Sequence, residues 1–432
     1  MAMADAREAL RAIGDDEGPK VVATADVQLA LSDMDVEVAN SLLTGREDGW
    51  LCDPDQDDSG CVREQPRYRY DIRREDAQRA VLQAARLAES DPVRMRTVQA
   101  LLDGLHRYDQ HVQAAMRHGR SAEHAYGALP PDAAKEYQAA GKLMAEELLP
   151  KASNLILGGK AIMETTYGDE RSGVQAGRTR VVVLGLAAIL VLAGLQIYLA
   201  MRFRRTLNLF LAAATLGTLV LTVASASLLA TEADQLRAAK ENGVDPALTL
   251  ARAQSVVKTL HADRSRYLLL PAQADRNDQT YLEKSQTILY VPDALDPAAY
   301  YAGLERQSAK PGGVGRGGFY GARARESGSL LESYLAYQQN DNRVRALAEA
   351  GQRGAAARAH LDQEWSHLPH PRFREHVEGL DGRISQHQYT AARTVLDGER
   401  ALAAWTWLRP LSALAIAALV VAGVWPRLSE YR

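Results

Sequence analysis

The hydrophobic pattern of the chain is dominated by two apolar blocks that lie almost side by side. Residues 181–201 and 206–230 contain no charged side chain. At a rise of 1.5 Å per residue, each block is long enough to cross a hydrocarbon core of roughly 30 Å as a helix. The blocks are separated only by residues 202–205, which read Arg-Phe-Arg-Arg. The pattern therefore predicts a transmembrane helical hairpin with a short basic turn, in preference to two buried core helices.

A third apolar stretch, residues 409–426, lies near the carboxyl terminus. Trp405 and Trp407 precede it and Trp425 lies at its end, as in the aromatic belts that flank membrane helices. A tail of six residues, 427–432, follows. The sequence thus predicts three membrane helices, the last with almost no chain beyond it.

Three arginines in and beside the hairpin turn suggest an orientation. Arg202, Arg204 and Arg205 place the turn in the cytoplasm under the positive-inside rule. Residues 1–180 and 231–408 are then both extracytoplasmic; the rival topology places residues 1–180 in the cytoplasm. Because the amino-terminal residues do not form a signal sequence, we expect a further membrane helix to precede residue 1.

The polar regions show helical periodicity. Residues 5–45 carry apolar side chains at helical spacing, and a second helix is predicted from Arg69. Asp91 followed by Pro92 is a helix start signal. The fourth helix would continue through Pro150, with a kink, into the first span. In the second half, helices are predicted near residues 246–270, 275–290, 329–362 and 372–408, with 291–328 irregular.

The predicted fold class is all-α. Two extracytoplasmic domains resembling four-helix bundles are joined by the transmembrane hairpin and followed by a carboxyl-terminal transmembrane helix. The predicted segments are bundle 1 (1–180), a membrane helix (181–201), the basic turn (202–205), a membrane helix (206–230), bundle 2 (231–408), a membrane helix (409–426) and the tail (427–432).

Composition and charge narrow the possible functions. Aromatic residues make up only 6% of the chain, and this low content favours helical structure. The net charge of −3 gives no indication of nucleic-acid binding. The two cysteines, Cys52 and Cys61, lie in one turn-rich acidic segment. Their proximity predicts a disulfide in an oxidising compartment, although two free thiols are the alternative.

Charged residues near the far ends of the first helix of each half are candidates for ligand binding. Asp35 followed by Leu42 in the one helix corresponds to Asp263 followed by Leu270 in the other. The candidate ligand-binding residues are Asp33, Asp35, Asp263, Arg264 and Arg266. A solvated helix face is the simpler interpretation of the same charges.

Other motifs carry less weight. The GxGxxG segment at 313–318 lacks a preceding strand, and Asp53, Asp55, Asp57 and Glu64 lack the glycine of a calcium loop. A histidine-rich segment containing His360, His367, His370 and His376 fits a polar turn better than a metal site. We expect no metal, no cofactor and no enzymatic activity.

Two segments carry a family resemblance. Residues 30–45, ALSDMDVEVANSLLTG, resemble the first helix of chemoreceptor-type four-helix-bundle sensors. The sensor region is followed by the hairpin segment 198–224, a second external bundle, a last span and a short tail. The chain resembles the actinobacterial four-span sensor proteins of the GlnX-like family. The Cys-bounded segment 52–61 departs from that pattern. The resemblance implies an amino-acid signal received through an extracytoplasmic solute-binding lipoprotein (GlnH-like) and passed to a cytoplasmic Ser/Thr kinase (PknG-like).

The sequence is therefore interpreted as a non-enzymatic multi-pass membrane sensor or signal relay. Membrane lipid is an expected partner, and a homo-oligomer is left open. Because the turn and the tail are short, Arg202, Arg204 and Arg205 are the predicted cytoplasmic contact. The alternative is a structural or accessory membrane protein that scaffolds a cell-envelope complex.

Overall fold

The structure is a computed structural model of the 432-residue chain. It describes residues 7–8, 11, 17–44, 50–51, 62–63, 66–88, 91–121, 127–203, 208–308, 317–322, 328–363 and 372–428.

The first half of the described chain consists of five long helices and one short strand pair. They are α1 (Gly18–Leu43), β1 (Trp50–Leu51), β2 (Val62–Arg63), α2 (Pro66–Leu87), α3 (Pro92–Ser121), α4 (Pro131–Leu143) and α5 (Leu149–Phe203). The strands pair in antiparallel register, with Leu51 opposite Val62.

The second half of the described chain begins and ends with long helices. The elements are α6 (Leu209–Ala238), α7 (Asp245–Leu269), α8 (Ala274–Ile288), α9 (Pro297–Ser308), α10 (Gly318–Ala322), α11 (Gly328–Glu349), α12 (Arg353–Leu361) and α13 (Arg372–Leu428). The described residues are almost wholly helical, which confirms the all-α fold class.

Local sequence signals explain several helix starts. The Asp91 carboxylate accepts hydrogen bonds from the Val93 and Arg94 amides at 2.9 and 3.2 Å, so it caps α3 as predicted. Asp296 caps α9 in the same way, through the Ala299 amide at 2.7 Å. The irregular segment predicted at 291–328 was therefore wrong in part, because an Asp-Pro cap like that of α3 was not recognised there.

Two prolines inside helical segments produce π-helical turns. Met144–Leu148 precedes Pro150, and Ala239–Val244 precedes Pro246. In each case the residue before the proline donates its amide to the carbonyl five residues back, instead of four. Proline lacks the amide hydrogen and its ring crowds the carbonyl four residues back, so the helix widens there. The predicted disturbance at Pro150 is a π-helical turn.

Residues Lys20–Gly159 and Ala247–Gln386 form one compact unit, here called the core unit. Its hydrophobic core contains residues from both halves of the sequence, for example Val27 and Leu31 with Leu268 and Leu269. The sequence-based division assigns these halves to separate bundles, whereas their described helices share this core. Six tyrosines of the second half are also buried: Tyr281, Tyr300, Tyr301, Tyr320, Tyr334 and Tyr337.

The second unit, here called the span unit, comprises Met1–Pro19, Lys160–Pro246 and His387–Arg432. Three helices of the described chain, Pro131–Met201, Leu209–Leu269 and Arg372–Trp425, each contain a stretch that is long and apolar enough to cross a membrane. Within this unit Gln196 Nε2 donates to Thr215 Oγ1 at 2.7 Å, and Asn208 Nδ2 donates to the Gly423 carbonyl at 2.6 Å. Polar contacts of this kind hold apolar helices together where the hydrophobic effect is absent.

Candidate functional site

Three of the five candidate ligand-binding residues form a buried cluster in the core unit. Asp263 and Arg266 are three residues apart on α7 and are joined at 2.7 Å, and Arg266 Nη2 also donates to Asp35 of α1. Asp35 is only 1% exposed. The cluster therefore links the two sequence halves through an ion pair removed from solvent.

Further side chains hold the Arg266 cluster in place. Tyr108 of α3 donates to Asp35 at 3.0 Å, and Lys284 of α8 donates to Asp263. Burial alone would lower the pKa of Arg266, but the Asp35 carboxylate and the neighbouring groups Tyr137 and Asp263 hold that pKa well above its ordinary value. The guanidinium is therefore charged at any physiological pH.

Arg264, two residues before Arg266, forms ion pairs on a different side of α7. Its Nε and Nη2 atoms donate to Asp341 of α11 at 2.9–3.1 Å, and Nη1 donates to Asp278 of α8 at 2.9 Å. The rings of Tyr267 and Tyr281 lie 4.9 and 4.3 Å from the guanidinium carbon. Arg264 is fully buried, so its donors serve the packing of the second half.

Asp33 is the candidate residue that reaches an open space. It forms an ion pair with Lys258 of α7 at 2.7 Å. It also lines a cleft of about 550 Å³ between α1, α2, α7 and the start of α13. This volume is within the range of small-molecule sites. The charged lining residues are Asp33, Glu37, Arg69, Arg73, Lys258, Arg374, Glu378 and Asp381.

The cleft lining contains equal numbers of acidic and basic side chains, together with apolar ones. Leu29, Val36, Ile72, Phe373 and Val377 supply the apolar surface. Glu37 and Arg69 lie 4.0 Å apart across α1 and α2, and Gln254 donates to Asp381 at 2.6 Å. Such a lining can contact a small molecule that carries both charges and an apolar part.

Most of the cleft residues were missed in the sequence. The available signal was the spacing of four residues between Asp33 and Glu37, between Arg69 and Arg73, and between Arg374 and Glu378, which places each pair on one helix face. Spacing alone could not indicate that these faces meet. Asp33 contributes to the cleft, while Asp35, Asp263, Arg264 and Arg266 are not among its lining residues.

The described histidines of the predicted turn are packed in the core unit. His360 of α12 packs against α7, with its Nε2 atom 2.8 Å from Ser265 Oγ and its ring stacked on His261 at 3.9 Å. His376 contacts Tyr320 and Ser333 at 2.9 and 2.8 Å. Among the described residues no group of three or more metal-binding side chains occurs. His367 and His370 lie outside the described residues.

Several other predicted sites lie wholly or partly outside the described residues. Cys52, Cys61, Arg204 and Arg205 are among them, and Arg202 is described only as part of the last turn of α5. The disulfide therefore stays a prediction.

A buried carboxylate lies in the span unit just beyond the predicted span 206–230. Glu232 is fully buried on α6, between Leu229 and Leu236, which pack with Val174 and Leu402. Neither carboxylate oxygen has a hydrogen-bond partner in the described part of the chain. Burial raises the pKa of Glu232 to about 7, so this packing favours the protonated acid.

We expect Glu232→Leu to stabilise the protein by about 1–3 kcal/mol at neutral pH, the usual cost of an unpaired buried polar group. Since the folded-state pKa is raised above 4.5, the wild type loses stability as pH rises towards about 7, and the gain in the variant should be larger at pH 8 than at pH 6. Thermal unfolding of the full chain at both pH values measures this. Asp234→Leu, at an exposed carboxylate of the same helix, is the control; an equal gain in both variants would contradict the argument.

Comparison with known proteins gives one assignment. Residues 9–168 match the actinobacterial sensor domain. This segment includes α1 to α4 and the first part of α5, and therefore Asp33, Asp35 and the α2 side of the cleft. Neither the curated proteins nor the solved structures contain a match. The match supports an actinobacterial sensor family and a sensing role, and the three apolar helices together with it indicate a membrane protein.

Proposed function

We propose that this protein is a non-enzymatic membrane sensor that binds a small extracytoplasmic solute in the cleft and relays its presence across the membrane. The observation that carries the proposal is the continuity of α13. Its first turns supply Phe373, Arg374 and Val377 to the cleft, and the same helix contains the predicted span 409–426. A ligand contact at one end of α13 can therefore act on its apolar segment through a single helix.

The distance involved suits a mechanical relay. From Asp381 to the start of the span the helix rises by about 40 Å. Packed helices exchange between discrete arrangements by shifts of about 1–2 Å or by larger steps. A solute that binds the cleft more tightly in one arrangement shifts the population towards that arrangement.

The cleft lining favours a zwitterionic solute such as an amino acid. Its acidic and basic side chains are equal in number and several are already paired, as in Asp33 with Lys258. A ligand with a single charge can pair with lining residues of one sign only, whereas a zwitterion can pair with both signs. This agrees with the amino-acid signal implied by the sequence resemblance, either as free solute or delivered by a solute-binding lipoprotein.

The proposed output is cytoplasmic. In this proposal both large polar segments are extracytoplasmic and the hairpin turn is cytoplasmic. Arg202, Arg204 and Arg205 then form the surface for a partner such as a Ser/Thr kinase. The same arginines also suit anionic lipid headgroups. Oligomerisation through the span unit is compatible with either partner.

The ligand proposal is tested by thermal unfolding of the full chain in lipid nanodiscs. The additives are the common L-amino acids, with acetate and ethylammonium as probes that carry one charge. A binding amino acid at a hundredfold excess over its Kd should stabilise the folded protein by about 2.7 kcal/mol, while the singly charged probes should not.

A matched pair of variants locates the binding. Arg73 and Arg79 both form ion pairs with Asp76 of α2, but of these two only Arg73 lines the cleft. We expect Arg73→Gln to weaken the apparent affinity for the amino acid, obtained from the stabilisation, at least tenfold. Arg79→Gln should leave this affinity unchanged. Equal effects would place the solute elsewhere. Absence of stabilisation by any additive would favour the scaffold function.

A further inference from the structure

The π-helical turn Ala239–Val244 removes the usual α-helical donor from two backbone carbonyls, those of Glu241 and Asn242. In an α-helix the Asn242 carbonyl would accept from residue 246, but Pro246 has no amide hydrogen. Asp245 instead donates to the Lys240 carbonyl, five residues back. π-helical turns of this kind occur frequently at functional positions.

The Asn242 carbonyl is taken by a side chain from another helix. His387 of α13 donates from Nδ1 to this carbonyl at 2.7 Å. Next to it, Gly243 lies so close to α13 that an added Cβ would be 2.5 Å from the Ala391 Cβ and 2.9 Å from its Cα. The helices therefore meet backbone to backbone, with one specific hydrogen bond across the contact.

The same two helices keep a constant antiparallel register over a long distance. Gly243 faces Ala391, and further along the helices Gly217 faces Ile416 and Leu211 faces Gly423. The first and last of these pairs are separated by the same number of residues, 32, on each helix. The contact at Asn242 thus lies at one end of a single interface that continues through the predicted spans.

We propose that His387, Asn242 and Gly243 form a latch that fixes the axial register between α13 and the helix of the second span. The inference rests on the proposed function, because a latch at this point determines how a displacement of α13 at the cleft reaches the membrane. When the hydrogen bond is present, α13 cannot slide past the π-helical turn without losing it. When the bond is broken, α13 is free to shift by a helical turn.

The π-helical turn makes the latch selective. Pro246 removes the α-helical donor of the Asn242 carbonyl, and the bond from His387 takes the place of that missing bond. The bond is exposed to solvent, so water competes for the carbonyl, and the bond adds to the register preference that the close packing of Gly243 on Ala391 sets. The register with His387 in place is therefore favoured over neighbouring registers.

Disulfide trapping in nanodiscs, without added ligand, tests the latch. The full chain carries Cys52→Ser and Cys61→Ser, so that introduced cysteines react alone. Gly217→Cys with Ile416→Cys reports the present register, since a Cβ on Gly217 would lie 3.3 Å from Ile416 Cγ1. Gly217→Cys with Val420→Cys reports a register shifted by about one turn.

In the wild-type latch we expect the first pair to react at least tenfold faster than the second. His387→Ala should reduce this preference at least threefold, and His387→Asn, whose Nδ2 can occupy the place of the imidazole Nδ1, should restore it. Pro246→Ala keeps His387 but returns a competing amide to the Asn242 carbonyl, so it should also reduce the preference. Tyr389→Ala, at an exposed residue of the same helix, is the control.

An unchanged preference in both His387→Ala and Pro246→Ala would overturn the latch. If thermal unfolding shows that His387→Ala is not folded, Pro246→Ala alone decides. Equal losses in His387→Ala, His387→Asn and Tyr389→Ala would indicate a general disturbance of α13 and would also overturn it. Because no ligand is present, none of these outcomes depends on whether the cleft binds a solute.

Discussion

Replacement of Arg264 by methionine is expected to lower the free energy of unfolding by about 3–5 kcal/mol, the range observed when one partner of a buried ion pair is removed. The guanidinium is fully buried and its pKa, which burial alone would lower, is held well above the ordinary value by the Asp341 carboxylate and the surrounding tyrosines. Without it, Asp341 is left as a buried carboxylate without its cation, and Asp278 keeps only Arg345, at 3.0 Å. Tyr267 and Tyr281 also lose the cation between their rings.

Urea denaturation of the full chain in detergent, followed by circular dichroism, measures the loss. Arg107→Met is the control, because Arg107 and Glu147 form an exposed ion pair of similar length, 2.8 Å, and exposed pairs contribute little. The double variant Arg264→Met with Asp341→Leu should recover part of the loss, since it removes the abandoned charge as well. An equal loss in the single and double variants would show that ring packing, and not charge, is responsible.

Acidification is expected to destabilise the core unit through its buried histidines. Burial lowers the pKa of His360 to about 4 and that of His376 to about 3, against 6.5 in an unfolded chain. Between pH 6.5 and 4 the unfolded state therefore binds protons that the folded state does not. Stability is complete above pH 6.5 and falls with decreasing pH, by at most about 3 kcal/mol for each histidine at pH 4.

Comparison of variants isolates this contribution from that of the carboxylates. In His360→Gln with His376→Gln, both side chains can still form hydrogen bonds but no longer titrate, so stability should fall less steeply between pH 6.5 and 4 than in the wild type. His106→Gln, at an exposed position on α3, should keep the wild-type slope. If the double variant has the same slope as the wild type, the two histidines do not remain neutral in the folded protein.

The apolar spans, the helical content and several helix boundaries were determined by the sequence alone. Their signals are local: an uncharged block long enough for a membrane, the 3.6-residue period, and an Asp-Pro cap such as that at Asp91. The break before α12 at Gly351, which has a positive φ of 76°, was missed because glycine also occurs inside helices. The disturbance at Pro150 was predicted, since proline removes a donor in any helix.

The cleft and the buried clusters were decided by the tertiary structure. Asp35 and Arg266 are 231 positions apart in the chain, and their pairing depends on how α1 and α7 pack in the shared core. Of the five charged residues selected from the sequence, Asp33 lines the cleft and the other four do not. A charge on a helix face is equally compatible with solvent, an ion pair or a ligand, because helical periodicity determines which residues share a face and only packing determines what that face meets.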